Sequence, residues 1–147
     1  MGFHGKNLRK GRHSIPGQIY LLTTVTADRE RLFEDWSTSQ QVCREIHATD
    51  CLQSLAWVLM PDHLHWLFLL NEGSLEQAMQ RFKSRSAIIA NTSSNRTGKV
   101  WQSGFHDRAI RREEDLKAVA RYVIANPLRA GLVKRISDYP FWNAAWL

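Results

Sequence analysis

An α+β fold is what this chain of 147 residues predicts, and three observations carry the prediction. Short runs rich in apolar, β-branched or aromatic residues at 19–26, 52–59 and 63–70 alternate with longer segments whose apolar residues recur at helical spacing. Turn and capping residues fall between those segments. The resulting order, β-α-β-β-α-β-α, is that of a split β-α-β antiparallel sheet. This is the ferredoxin-like arrangement, here with one helix added at the C-terminal side.

The elements follow from local chemistry. Residues 1–17 carry Lys6, Arg9, Lys10, Arg12 and His13 without apolar periodicity and end at Pro16-Gly17. Such an arm is either a solvated tail or a set of phosphate contacts. The 19–26 run has no breaker and reads as the first strand. A charged loop from Asp28 to Asp35 precedes Ser37, Thr38 and Ser39, whose hydroxyls are expected to cap a helix of about three turns ending near Ala48. The second and third strands turn on Met60-Pro61-Asp62 as a hairpin-like pair. Ser74-Leu75-Glu76-Gln77 is a capping-box pattern opening a helix to about Ala90. Leu75, Met79, Phe82 and Ile89 lie near helical spacing there, with Arg81, Lys83 and Arg85 on the polar side. The polar 91–99 stretch reads as a mobile loop and 105–111 as a fourth strand. Glu113, Glu114 and Asp115 suit the first turn of the last helix, which is expected to stop around Asn126-Pro127. The tail, 128–147, carries Trp142 and Trp146 and is expected to pack back onto the sheet.

Composition bounds the function. Hydrophobic residues make up 44% and charged residues 23%, values of one ordinary globular domain spanning 1–147. No apolar run is long enough to cross a bilayer, and the first residues have no apolar core of a signal peptide. Cys43 and Cys51 are too few for a disulfide framework and read as free thiols of a cytoplasmic protein. A formal charge of +6 suits a polyanionic partner. Some of the six Trp, six Phe and three Tyr could stack unpaired bases.

The stretch that carries chemistry is Pro61-Asp62-His63-Leu64-His65, followed at once by Trp66-Leu67-Phe68-Leu69-Leu70. Strand side chains alternate faces, so His63 and His65 point the same way. Two imidazoles there are either partly buried packing residues or half of a metal site. On the last helix Leu116, Val119, Ala120, Val123 and Ile124 form an apolar stripe. Tyr122 and Asn126, four residues apart, share a face at its border. Taken singly, such a Tyr is usually a packing residue and an Asn before Pro is usually a helix stop.

Taken together these segments resemble a known set. Pro61-Asp62-His63-Leu64-His65 is similar to the His-hydrophobic-His motif of the HUH nucleases. Trp101-Gln102-Ser103-Gly104-Phe105-His106-Asp107-Arg108, then Tyr122, then Asn126-Pro127-Leu128-Arg129-Ala130-Gly131-Leu132-Val133 look like the IS200-like tyrosine transposases. Arg12-His13-Ser14-Ile15-Pro16-Gly17 with Thr23-Thr24-Val25-Thr26 looks like their REP-associated branch. The resemblance runs from about residue 12 to about residue 135.

The resemblance implies one divalent metal, Mg or Mn, held by His63 and His65, with Asn126 in the third ligand's place. Tyr122 would attack the scissile phosphate of single-stranded DNA beside a REP-type hairpin, giving a 5′-phosphotyrosine and a free 3′-OH. Arg9, Lys10 and Arg12 become candidate DNA contacts, joined by Lys83, Arg85, Arg108, Arg111 and Arg112. A catalytically silent hairpin-binding module is the second reading. An RNA-binding sheet of the same topology is the third, and it lacks the aromatic signature that reading needs. The tail tryptophans, as cover for one sheet face, favour a monomer over a homodimer.

Overall fold

The computed structural model describes residues 14–111 and 115–146. Arg9, Lys10, Arg12, Arg112, Glu113 and Glu114 lie outside them. The chain runs β1 (Ile19–Val25), α1 (Trp36–Ala48), β2 (Leu52–Met60), β3 (His63–Leu70), α2 (Leu75–Ser93), β4 (His106–Ala109), α3 (Leu116–Ile124), a one-turn α4 (Asn126–Arg129) and β5 (Trp142–Ala144). The strands form one sheet in the order β4-β1-β3-β2-β5, and each neighbouring pair is antiparallel. The first four strands in that order are the expected split β-α-β topology.

β3 is central, and its alternation sorts the two faces. Leu64, Trp66, Phe68 and Leu70 enter the larger core with Val42 and Ile46 of α1 and Met79 and Phe82 of α2. Leu67 points the other way, into a smaller core with Ala120 and Ile124 of α3, Ile110 and Ala144. His63 and His65 share the Leu67 face by the same alternation. The sheet is therefore covered on both sides, by α1 and α2 on one and by α3 on the other.

Trp66 anchors the larger core. It is fully buried, its ring meets Phe68 at 5.4 Å and Phe82 at 5.3 Å, and its Nε1 donates to Ser54 Oγ at 2.8 Å. Trp66→Ala should remove about 3–5 kcal/mol of stability, a large share of what a domain this size holds. Urea unfolding checks this, and a loss below about 1 kcal/mol would contradict the packing described.

Several elements differ from the sequence expectation. α1 is capped by Asp35, whose Oδ2 accepts from the Thr38 amide at 2.9 Å and from the Thr38 hydroxyl at 2.8 Å. The hydroxyls at 37–39 thus lie inside the first turn, because a carboxylate one residue ahead takes the capping role. α2 continues to Ser93, and the loop beyond is tied down rather than loose. Arg96 donates to Asn91 Oδ1 at 2.6 Å and to Glu30 Oε1 at 2.9 Å. The capping box at Ser74 and Gln77 forms as expected.

The largest departures are at the C-terminal side. α3 ends at Ile124, beside the expected stop at Asn126-Pro127, but the chain starts a further turn there. Pro127 sits in the first turn of α4, where its missing N–H costs nothing, and the chain completes another turn to Arg129. The tail adds a fifth strand, which pairs Ala144, Asn143 and Trp142 with Ala56, Trp57 and Val58. Tyr139 Oη donates to the Leu59 carbonyl at 2.6 Å, fixing that tail to β2. No helix of the described residues is long and apolar enough to cross a membrane.

Candidate functional site

The two histidines stand at the start of β3, opposite Val25 and Thr23 of β1. Their ring centroids are 4.8 Å apart with planes at 82°. Each ring is held through Nδ1. That of His63 lies 2.7 Å from Asp62 Oδ1, and that of His65 lies 2.8 Å from Thr23 Oγ1. With both Nδ1 atoms engaged, Nε2 is the nitrogen each ring offers to a ligand.

A second set of contacts holds the Asp62 carboxylate. Burial alone would raise its pKa, but the hydrogen bonds and charges of His63 and Arg29 outweigh burial and hold it below the usual carboxylate value. Arg29 Nη1 reaches Asp62 Oδ2 at 3.2 Å from an unusual backbone. Asp28 and Arg29 are both left-handed, at φ 56° and 50°. Two consecutive non-glycine residues in that region cost about 1–3 kcal/mol each. Thr26 offsets the strain by donating its hydroxyl to the Glu30 carbonyl at 2.7 Å and to the Asp62 carbonyl at 3.1 Å. The bent loop thereby delivers a cation to the carboxylate that orients His63.

His65 is tuned by its surroundings. Burial first, then the positive charges of His63 and Arg129, push its pKa down to about 4. Its imidazole is neutral at neutral pH, the form that binds a metal. Thr23→Val removes the hydroxyl that fixes this ring and should weaken Mn affinity by about 10–100-fold. Isothermal titration with Mn checks it, and unaltered affinity would mean that Thr23 does not orient His65.

Tyr122 lies near the end of α3, which packs on β2, β3 and β5. Its side of the sheet is the side of the two histidines, and its ring is largely exposed, at 61%. Asp115 caps the helix through Oδ1, accepting from the amides of Lys117 at 2.9 Å and Ala118 at 3.2 Å. Arg129 returns from α4 with its Cζ 3.9 Å from the Tyr122 ring centroid. Asn126 opens α4, half-buried, with Nδ2 donating to the Val123 carbonyl at 3.1 Å. That bond turns the amide nitrogen into its own helix and leaves Oδ1 as the atom suited to a cation.

With Asn126 as third donor, two imidazoles and an amide oxygen would bring no anionic charge to a divalent ion, which would keep waters and accept phosphate oxygens from a substrate. Among the described residues no group of three or more His, Cys, Asp or Glu could hold a metal alone.

The basic residues divide by environment. Arg108 and His106 of β4 lie opposite Leu21 and Thr23, so they occupy the histidine face, and both are exposed. Arg111 lines a groove with Ile15, Pro16 and Gly17, beside the point where the N-terminal arm enters the described chain. Arg85 lies on α2 across the sheet from the histidines and pairs with Glu45 at 3.4 Å. Lys83 turns inward. Its ammonium donates to the carbonyls of Gln102, at 2.9 Å, and Gly104, and burial with help from Lys99 pushes its pKa down to about 8. That makes Lys83 a brace for the 102–104 loop rather than a displayed phosphate contact.

Thr23, Arg29, Asp62 and Arg129 are contributors that residue patterns did not single out. Asp62, directly before the first histidine, and Arg129, two helical turns beyond Tyr122, had positions that could have signalled their roles.

Comparison with known proteins places the fold and the sequence beside a family of transposases. A REP-associated tyrosine transposase of Escherichia coli (strain K12) is 35% identical over 88 residues, covering 58% of this chain. The chain spans about half, 50%, of that relative's length. A candidate REP-associated tyrosine transposase of Haemophilus influenzae is 26% identical over 147 residues, covering 88% of this chain and 81% of that protein. The fold matches the structure of a REP-associated tyrosine transposase bound to a REP hairpin, with a TM-score of 0.71 at 24% identity over 89% of this chain and 79% of that one. The family model described as "Transposase IS200 like" matches residues 15–126, a span that holds the histidine pair, the tyrosine helix and Asn126 together. By that match and by the elements it covers, this chain belongs to the IS200-like transposase family.

Proposed function

We propose that this protein is a metal-dependent, single-stranded DNA endonuclease and strand transferase that acts beside REP-type hairpins through a 5′-phosphotyrosine. The observation that carries the reading is the histidine pair. Both rings are fixed through Nδ1 and both lie on the sheet face that the tyrosine helix covers. Packing residues need no such orientation, whereas ligands do.

His63 and His65, with the Asn126 amide oxygen as third donor, would hold Mg or Mn. When bound, that ion supplies Lewis-acid polarisation of the scissile phosphate. The chain's own groups do the rest. Asp62 and Thr23 keep the imidazoles oriented, so no reorganisation is needed as charge develops. The Tyr122 phenol oxygen attacks phosphorus and forms the O–P bond while the bond to the 3′ oxygen breaks. The phenol proton leaves to solvent, and the departing 3′ oxygen takes one up. The phosphodiester's energy is kept in the phosphotyrosine, so the reverse step can join a new 3′-OH without ATP.

Arg108 on the histidine face and Arg111 beside the arm are the described residues best set to contact the DNA backbone. Arg9, Lys10, Arg12 and Arg112 remain candidates for the same role. The hairpin partner is supported by the relative whose structure holds a REP hairpin. A monomer that works in the cytoplasm is the form we favour, because the chain's own α3 covers the sheet.

The test is covalent capture. Labelled hairpin oligonucleotide with a single-stranded foot is incubated with Mg or Mn and run on a denaturing gel. An adduct that migrates with the protein supports the reading. Binding without any adduct across REP-type hairpins would favour the silent hairpin-binding module.

A further inference from the structure

We infer that Arg129 is a positioning residue for strand transfer, holding the Tyr122 ring and setting a fixed cation beside the nucleophile. Two contacts converge on it. Its guanidinium carbon Cζ lies over the Tyr122 ring, 3.9 Å from the ring centroid. Its Nη2 donates to the Tyr122 carbonyl at 2.7 Å. One side chain thus holds both the ring and the backbone of the attacking residue.

The local sequence explains how it gets there. Arg129 is seven residues beyond Tyr122, two helical turns, so the two share a face if the helical path continues. Ala125 is in the right-handed helical region at φ −81°, and Pro127 fits the first turn of α4. The path does continue, and α4 exists only to complete it.

Without a restraint, a largely exposed tyrosine would sample several rotamers, and each ordered rotor costs free energy before attack. Cation–π contact of this kind contributes about 0.5–1 kcal/mol at an exposed site, enough to bias the ring. The stack uses the guanidinium's face and one of its five N–H groups. The remaining edge is suited to a non-bridging phosphate oxygen, on which negative charge grows during attack. A lysine would supply the charge without the planar face, and a glutamine would supply a donor without the charge.

The rival role is a helix cap, since the Tyr122 carbonyl is in the last turn of α3. Glutamine can still donate to that carbonyl, which separates the two roles. The inference rests on the proposed function, so unaltered protein is first tested for adduct formation with hairpin DNA and Mn. Given an adduct, Arg129→Gln should lower the single-turnover adduct rate at saturating hairpin by about 100-fold, with hairpin Kd and thermal midpoint nearly unaltered. Arg129→Lys should recover part of that loss. Equal rates for Arg129→Gln and unaltered protein would overturn the role and leave the proposed function standing.

A measurement on free protein stands apart from activity. The Arg129 side-chain protons should be shifted upfield in NMR by the Tyr122 ring and should return on Tyr122→Leu. Absence of that shift removes the stacking and overturns the inference even if the enzyme is active. If unaltered protein forms no adduct with any hairpin, the proposed function falls and Arg129's role in it falls too.

Discussion

Tyr122→Phe is expected to abolish covalent capture of DNA while leaving the fold and hairpin binding intact. The substitution removes one oxygen and keeps the ring. The Tyr122 ring is 61% exposed and stacks under Arg129, a contact that phenylalanine also makes. Stability should therefore move by no more than about 0.5 kcal/mol, the usual scale for an exposed site. Chemistry is different, because in the proposed mechanism that oxygen is the atom that bonds phosphorus. Without it the adduct should fall below detection rather than weaken. Gel shift at moderate salt, melting temperature and denaturing-gel capture are measured on the same preparation. An adduct that persists in Tyr122→Phe would show that another residue is the nucleophile. Loss of hairpin binding together with the adduct would show that Tyr122 grips DNA rather than attacking it.

Much of this site was legible in the sequence because it depends on periodicity. The two histidines share a face because a strand alternates, and Leu67 reports which face by packing against α3. The apolar stripe of α3 was equally readable, since Ala120, Val123 and Ile124 are buried at helical spacing. What escaped depends on contacts between distant segments. Thr23 meets His65 across 42 positions and Arg29 meets Asp62 across 33. Neither pairing leaves a local pattern. α3 ends beside Asn126-Pro127 as the sequence predicts, but the one-turn α4 beyond it is not anticipated, although proline in a first helical turn is favourable. β5 was missed because three residues are too few for a period, and its strand character comes from the β2 edge it pairs with. Lys83 looked like a surface cation on a polar helix face. Only the folded position of the 102–104 loop turns its ammonium inward.

His65→Ala should have the second largest effect, on metal dependence and on acid stability together. On the proposed metal site, losing one of two imidazole donors should cost more than the roughly 100-fold that an outer partner such as Thr23 can cost, so stimulation of the adduct by Mn should disappear. Hairpin binding through the arginines should remain. The acid effect follows from the buried ring. In the folded chain burial, with the charges of His63 and Arg129, pushes the His65 pKa down to about 4. In the unfolded chain the same imidazole titrates near 6.5. Between those values the unfolded state binds more protons, so stability rises with pH across the window. Acidifying from about 6.5 towards 4 therefore draws the protein towards unfolding through this one group. Alanine cannot take up that proton. The variant's loss of stability between pH 7 and pH 5 should accordingly be smaller than that of the unaltered protein, measured as the shift in urea midpoint. An equal shift in both would mean that His65 is not the buried neutral imidazole described, and the argument that it is ready for metal at neutral pH would fail with it.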